Sequence, residues 1–260
     1  MTLNIMPIGG LCNRLRVINA ARKLALDVGA KLRIWWFVNH EMNARFTDLF
    51  KYDKSCGFTI LQIGGSAMRL CHIFSRYNPF WIPHSDRDKF VQNIKSGKTS
   101  KNYLSTFSDF YPNEDYSWLR PNDALQNEIE NFSARLGDNA IGLHIRRTDN
   151  VQAIAMSPDF LFEERISDEL KRCPSKKFFL STDDDKVREK LCKEFEGCVY
   201  SRMNIAARNQ SNGVADAVVD LMLLAKCEKI YGSYWSSFSD VAALIGRCPL
   251  ERLVKEEVKA

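Results

Sequence analysis

The sequence predicts an α/β protein with a parallel, doubly wound sheet, and three observations carry that expectation. Leu3–Ile8 is a short apolar run that meets Gly9-Gly10 and then an amphipathic stretch, a strand–turn–helix opening. Ala140–Asn150, AIGLHIRRTDN, reads as a buried strand that ends in charged and polar residues. From there to Ile245, short apolar runs and helical patterns alternate at βαβ spacing.

In chain order, Leu3–Ile8 is the first expected strand. Leu11, Leu15, Ile18, Ala21, Ala25 and Val28 recur at three- and four-residue steps, so Leu11–Val28 is an expected helix with one apolar face. Gly29 is placed to end it, and Lys31–Val38 (KLRIWWFV) is a second expected strand. Between Asn39 and Arg120 the period is lost. Phe74, Tyr77, Phe80, Trp81, Tyr103, Phe107, Phe110, Tyr111, Tyr116 and Trp118 mix there with Pro, Asn, Asp and Ser. Such aromatics suit platforms for sugar faces or the core of a small irregular domain. Pro121 is expected to open a helix through Leu136, with Leu125, Ile129, Phe132 and Leu136 on one side. The junction is expected between Arg120 and Asn139, which divides the chain into an N-terminal lobe, 1–125, and a C-terminal lobe, 126–260. Beyond the central strand come a helix at Pro158–Lys171, a strand at Lys177–Ser181 and a helix from Lys186 to Phe195. A strand at Cys198–Tyr200, a helix at Gly213–Ala225, a strand at Lys229–Gly232 and a last helix to Ile245 complete the pattern.

Composition excludes several classes. At 260 residues, 45% hydrophobic and 27% charged, the chain is that of an ordinary globular protein. A net charge of +5, scattered along the chain, suits an anionic small substrate and forms no nucleic-acid stripe. No apolar run reaches the ~20 residues that span a bilayer. MTLNIMPIGG lacks the pattern of a signal peptide, and its Leu3–Ile8 is expected to be the first strand instead. Eight cysteines without a CxxC pair are expected to be free thiols in a reducing cytoplasm. The four histidines, His40, His72, His84 and His144, show no metal-ligand spacing.

The chemistry is expected at the ends of the strands, the edge at which open α/β sheets bind ligands. Arg146 and Arg147 follow the central strand there. Their planar donor forks suit a phosphate or a carboxylate, or they pair with nearby acids and hold the loop. Asp183-Asp184-Asp185 follows the strand after it. A DxD at a strand end can hold Mn²⁺ or Mg²⁺ against a nucleotide diphosphate, whereas acids at a helix start cap free N–H groups. Capping with nucleotide-side contacts is the preferred reading. Asp220 sits among Val218, Val219, Leu221 and Leu223 and needs a donor partner. That partner is an arginine or a backbone N–H, or else the N1–H and N2 amino group of guanine, which one carboxylate matches with its two oxygens. Asp216, one turn earlier, is a weaker candidate.

HxRRTD on a strand end resembles the pyrophosphate-binding motif of the fucosyltransferase superfamily, which includes core α1,6-fucosyltransferases, bacterial nodulation fucosyltransferases and protein O-fucosyltransferases. GGLCNRLR resembles the segment with which these enzymes open, FFLSTDD resembles their (L/A)TDD segment, and GVADAVVDLMLLAKCEKIYGSYWSSFSDVAALI resembles their helix–strand–(T/S)xSS–helix motif. The resemblance is local and leaves Asn39–Arg120 unmatched. It implies a GT-B-like fold, two Rossmann-type lobes with the donor cleft between them. It implies an inverting, metal-independent transfer of fucose from GDP-fucose to a glycan hydroxyl, with no cofactor. Carried across, Arg146 stabilises the leaving diphosphate, His144 orients the nucleotide and Arg147 is a second cation. Gly9, Gly10 and Asn13 lie beside the donor phosphates and the acceptor, with Arg14 a weaker candidate. Thr182, Asp183 and Asp184 make nucleotide-side contacts, Asp220 reads guanine, and Ser236, Ser237 and Phe238 form the β-phosphate turn.

One departure concerns the base. Core fucosyltransferases carry a glutamate beyond the RRTD loop, whereas here VQAIAMSP holds no acid before Asp159. Asp149, Asp109, Asp159 or the departing phosphate itself is left to take the acceptor proton. The alternatives are transfer from another nucleotide-sugar, metal-dependent if Asp183 and Asp185 bind the ion, and a nucleotide-binding module without catalysis. The expected partners are the donor and a glycan, with no nucleic acid; peripheral contact with a membrane is compatible with the sequence.

Overall fold

The computed structural model describes residues 1–64, 81–82, 86–97, 102–148, 151–203 and 211–255. The chain divides into two compact units, the first Met1–Asp123 with Ala207–Ala215 and the second Ala124–Ala206 with Asp216–Ala260.

The first unit is built on β1 (Thr2–Pro7), α1 (Leu11–Asp27), β2 (Lys31–Phe37), α2 (Phe46–Leu49), β3 (Thr59–Ile63), β4 (Trp81–Ile82), α3 (Arg87–Lys95) and β5 (Tyr103–Thr106). Its five strands lie in the order β3-β2-β1-β5-β4, and all pairs are parallel. Leu3 and Ile5 put β1 at the centre, opposite Leu32 and Ile34 on one side, with Ile5 opposite Leu104 on the other. Leu15, Ile18 and Leu24 on α1 are fully buried, as the apolar spacing requires. Gly29, at φ +62°, ends that helix because a left-handed residue follows the last turn without a Cβ penalty. The region without a clear period therefore supplies three strands. Its aromatics divide: Phe110, Tyr116 and Trp118 are buried, while Phe107 is 44% exposed. Phe74, Tyr77 and Phe80 lie outside the described residues. Pro121 does not open a helix. It pairs across a β-bridge with Phe50, and α4 (Asp123–Leu136) starts two residues later.

The second unit carries β6 (Ile141–Ile145), α5 (Val151–Met156), α6 (Asp159–Arg172), β7 (Phe178–Thr182), α7 (Asp185–Glu194), β8 (Val199–Ser201), α8 (Ser211–Ala225), β9 (Lys229–Gly232), α9 (Ser237–Gly246) and β10 (Leu250–Arg252). Its sheet is again parallel, in the order β10-β9-β6-β7-β8. Every residue of β6 is buried, as befits a central strand covered on both faces. Ile141, Leu143, Ile145, Phe178 and Leu180 pack with Phe162 and Ile166 of α6 and Leu191 of α7. Gly142 faces α8, close enough that a Cβ there would stand 2.8 Å from Leu224 Cδ2. The order places the C-terminal ends of β6, β7 and β9 side by side.

Candidate active site

In the second unit, the ends of three adjacent strands bring the expected residues together. His144 lies opposite Ser181 of β7 and Gly232 of β9. Its ring is buried and stacks on Phe238 with centroids 4.9 Å apart and planes at 23°. Arg146 follows, half-buried, and its backbone N–H donates to Ser233 Oγ at 3.1 Å. Ser233 Oγ in turn donates to the His144 carbonyl at 3.2 Å, so one buried hydroxyl fixes the turn out of β6. Asp149 lies outside the described residues.

Arg147 takes a different place from a phosphate ligand. Its Nε donates to Asp159 Oδ1 at 2.8 Å and its Nη2 to the Ser157 carbonyl at 2.8 Å; Nη2 also meets Asp159. With only 9% of the side chain exposed, it holds the loop against the start of α6. Asp159 is committed to that ion pair.

The acidic triplet also separates by role. Asp183 accepts the Arg147 N–H at 2.6 Å and the Thr148 hydroxyl at 2.6 Å. Asp184 is the N-cap of α7, accepting from Lys186 N at 2.8 Å and Val187 N at 3.1 Å. Thr182 Oγ1 accepts the Asp184 N–H at 3.3 Å, and Asp185 pairs with Arg188. Among the described residues no group of three or more His, Cys, Asp or Glu side chains is placed to hold a metal ion.

Ser236 is the N-cap residue of α9, yet its side chain makes no cap bond. It is 2% exposed, and its Oγ has no hydrogen-bond partner among the described residues. Ser237 begins the helix beside it. A buried hydroxyl next to free N–H groups at a helix start is fit to receive an anion. Trp235, just before it, is 69% exposed and holds φ +49°, an uncommon conformation for a bulky residue.

Asp220, on α8, is the carboxylate expected to need a donor. It receives one from Arg202 Nη1 at 2.8 Å and another from Ser181 Oγ at 3.0 Å, with 21% of its side chain still exposed. Burial pushes its carboxyl up from the ordinary value, while Arg202 and Ser181 act in the opposite direction.

The expected residues of the first unit cluster at the turn between β1 and α1. Gly9 has φ +81°, so this turn favours glycine on backbone grounds, and an added Cβ would stand 3.0 Å from Asn13 Nδ2. Asn13 is half-buried and accepts from Arg16 Nη2 at 3.0 Å. Gly10 precedes α1 as its N-cap. Arg14 is fully buried, and its guanidinium is committed inside the unit. It donates to the Gly9 carbonyl at 2.7 Å, the Phe37 carbonyl at 2.5 Å and Asn39 Oδ1 at 3.0 Å. Burial lowers its pKa to about 10, with Glu41 working against the drop.

Sequence reasoning missed Arg202, Ser157 and Ser233. Arg202 stands just past a three-residue strand and Ser157 in a short polar turn, where no period or motif marks them, while Ser233 lies within the helix–strand–serine stretch but outside its paired serines. Ser157 is fully buried and joins three segments, donating to the Leu253 carbonyl at 2.5 Å and accepting the Tyr234 N–H at 2.8 Å.

No protein-family model and no curated protein matches the chain. Solved structures do. The NodZ α1,6-fucosyltransferase co-crystallised with GDP matches with a TM-score of 0.65 at 17% identity, over 94% of this chain and 93% of that one. NodZ from Bradyrhizobium as its selenomethionine form gives 0.64 at 16% identity, over 94% and 92%. POFUT1 in complex with GDP-fucose gives 0.59 at 12% identity, over 97% of each chain. Two parallel sheets with their flanking helices are therefore the fold that this chain shares with fucosyltransferases.

Proposed function

We propose that this protein is a glycosyltransferase that moves fucose from GDP-fucose to a hydroxyl of a glycan. The observation that carries the reading is the joint placement of His144, Arg146 and the Ser236-Ser237 turn at the ends of β6 and β9 (Lys229–Gly232). That edge carries Arg146 and one helix start at which the buried Ser236 hydroxyl makes no hydrogen bond among the described residues, a place suited to a diphosphate. The structural likeness to NodZ with GDP and POFUT1 with GDP-fucose supports a guanine nucleotide-sugar as donor.

In this reading the acceptor oxygen forms its bond to C1 of fucose as the C1–O bond to the β-phosphate breaks, and the configuration at C1 inverts. The electron pair of the broken bond stays on the phosphate oxygen. Arg146 and the N–H groups at the start of α9 (Ser237–Gly246) neutralise that charge, aided by Ser236 and Ser237. A donor aimed at developing charge typically contributes on the order of 10²–10³ in rate. His144, stacked on Phe238, orients the nucleotide, and Asp220 reads the guanine. Asp159 is held by Arg147, which leaves Asp149, Asp109 or the departing phosphate itself to take the acceptor proton. The first unit serves the acceptor through Gly9, Gly10 and Asn13, and the second binds the donor.

The transfer needs no metal in this reading. Asp183 and Asp185, the pair that could hold one, are engaged by the Arg147–Thr148 backbone and by Arg188. Thr182, Asp183 and Asp184 then shape the nucleotide side of the loop. Cys56, Cys173, Cys192, Cys198, Cys227 and Cys248 form no disulfide, in keeping with the reducing, cytoplasmic setting of this reading. No helix of the described residues is long and apolar enough to cross a membrane.

Thermal shift with GDP, UDP and ADP, each with and without Mn²⁺, tests the donor. A ligand at 100 times its dissociation constant raises stability by about 2.7 kcal/mol. GDP-selective stabilisation without metal is expected. UDP selectivity with Mn²⁺, or no response to any nucleotide, contradicts the reading.

A further inference from the structure

Arg202 belongs to none of the motifs above, yet it is only 6% exposed and joins three carboxylates of the second unit. Its Nη1 donates to Asp220 Oδ1 at 2.8 Å and to the Asp216 carbonyl at 3.0 Å. Its Nη2 donates to Asp216 Oδ1 at 3.0 Å and meets Glu128. From the other side, Ser181 Oγ donates to Asp220 Oδ2 at 3.0 Å. Both oxygens of Asp220 are thus held, one by each neighbour. Each oxygen keeps a second lone pair, and a fifth of the side chain stays exposed. That is what a carboxylate needs if it is to meet two adjacent donors in one plane.

We propose that Arg202 is a positioning residue that sets the guanine preference of the donor site by holding both oxygens of Asp220 in one orientation. The proposal rests on the assignment of Asp220 as the guanine reader. Charge acts in the same direction as geometry. Among the described residues, the charged and titratable groups facing Asp220 are Arg202 and, one turn away on its own helix, Asp216; Ser181 faces it as a donor. Burial and Asp216 both push the Asp220 carboxyl up, and Arg202 is the principal influence that opposes them. Guanine offers two donors, so only the deprotonated carboxylate serves it. A protonated Asp220 turns an O–H toward a donor and loses one of the two bonds. Binding of guanine therefore weakens as pH falls through the titration of Asp220. Without the guanidinium, that titration moves toward neutral pH and carries the loss of binding with it.

The test is titration calorimetry of GDP and of inosine diphosphate, which lacks the 2-amino group, from neutral to acid pH. The proteins are wild type, Arg202→Gln, Arg202→Lys and Asp216→Asn. Wild type is expected to prefer GDP by about tenfold or more, the discrimination typical of a bidentate contact. Arg202→Gln should lose most of that preference, and its GDP affinity should fall away at higher pH than in wild type. Arg202→Lys keeps the charge but not the planar fork, so it should retain the pH dependence better than the preference. Asp216→Asn removes the like charge and should carry GDP binding to lower pH. An Arg202→Gln protein with an unchanged GDP preference and pH midpoint overturns the proposal. If that variant does not fold, an Arg202→Lys protein with an unchanged GDP preference overturns it. A wild-type protein that binds both nucleotides alike overturns the assignment of Asp220 itself, and the proposal falls with it.

Discussion

Asp183 Oδ1 accepts the backbone N–H of Arg147 at 2.6 Å, so the end of β7 holds the loop that leaves β6. Its Oδ2 takes the Thr148 hydroxyl at 2.6 Å. These are bonds to a charged acceptor, each contributing about 1.5–3 kcal/mol. Asp183→Ala should therefore release the loop that carries Arg146. We expect a lower melting temperature and weaker GDP binding, with Asp183→Asn between the variant and wild type. Calorimetry and nucleotide titration measure both. GDP binding that Mn²⁺ strengthens in wild type but not in Asp183→Ala would instead make Asp183 a metal ligand.

Arg147 and Asp159 should behave as one unit. The arginine is 9% exposed and the aspartate 31%, so removing either leaves a partly buried charge without its partner. Each single substitution to alanine is expected to destabilise the protein, and the double variant should lose less than the sum. A coupling of about 0.5–3 kcal/mol from a double-mutant cycle fits residues in such contact. Strict additivity would show that the pair contributes nothing together.

The second unit was largely legible in the sequence because its elements are apolar and closely spaced. The strands at Phe178–Thr182 and Lys229–Gly232 and the helices of Asp159–Arg172, Asp185–Glu194 and Ser211–Ala225 fall within two residues of expectation. Central parallel strands must be apolar along their whole length, which makes them visible. The first sheet was half visible. Its strand Thr59–Ile63 has no fully buried residue and no regular alternation, with Leu61 and Gln62 both exposed, and Tyr103–Thr106 is four residues long. Leu250–Arg252 is shorter still and mostly exposed. Val151–Met156 forms a short helix without an apolar face to mark it in the sequence, its one buried residue being Ala153. At the site, motif residues were legible by position, and their partners were not. Nothing near Arg147 in sequence distinguishes a phosphate ligand from a residue that binds Asp159 twelve positions away. Arg14 shows the same ambiguity, since its acceptors Phe37 and Asn39 come from the end of β2.

Gly246, the last residue of α9, packs against the end of α8. An added Cβ would stand 2.1 Å from the Ala225 carbonyl oxygen, a backbone atom with no freedom to rotate away. Gly246→Ala should cost about 3 kcal/mol, at the upper end for overpacking. Thermal unfolding measures it, and a loss below about 0.5 kcal/mol, the scale of neutral surface changes, would contradict the contact.

Glu169 accepts the Tyr231 hydroxyl at 2.5 Å and Lys229 Nζ at 2.9 Å. The tyrosine hydroxyl, with Lys229, holds its carboxyl below the usual range even though burial works the other way. A depressed carboxylate stabilises the fold above its unfolded value, about 4.3, and that contribution is lost as pH falls through the folded value. Glu169→Gln should cost about 1–3 kcal/mol at neutral pH. The gap to wild type should narrow below about pH 4. A gap constant with pH would remove the ionised carboxylate from the account.

The rate of GDP-fucose cleavage in Arg146→Ala tests the central claim most directly. Single-turnover hydrolysis, measured beside GDP affinity, separates charge stabilisation from binding. A fall of about 10²–10³ in rate, larger than the change in GDP affinity, is the predicted result. A folded Arg146→Ala protein that cleaves GDP-fucose as fast as wild type would contradict it.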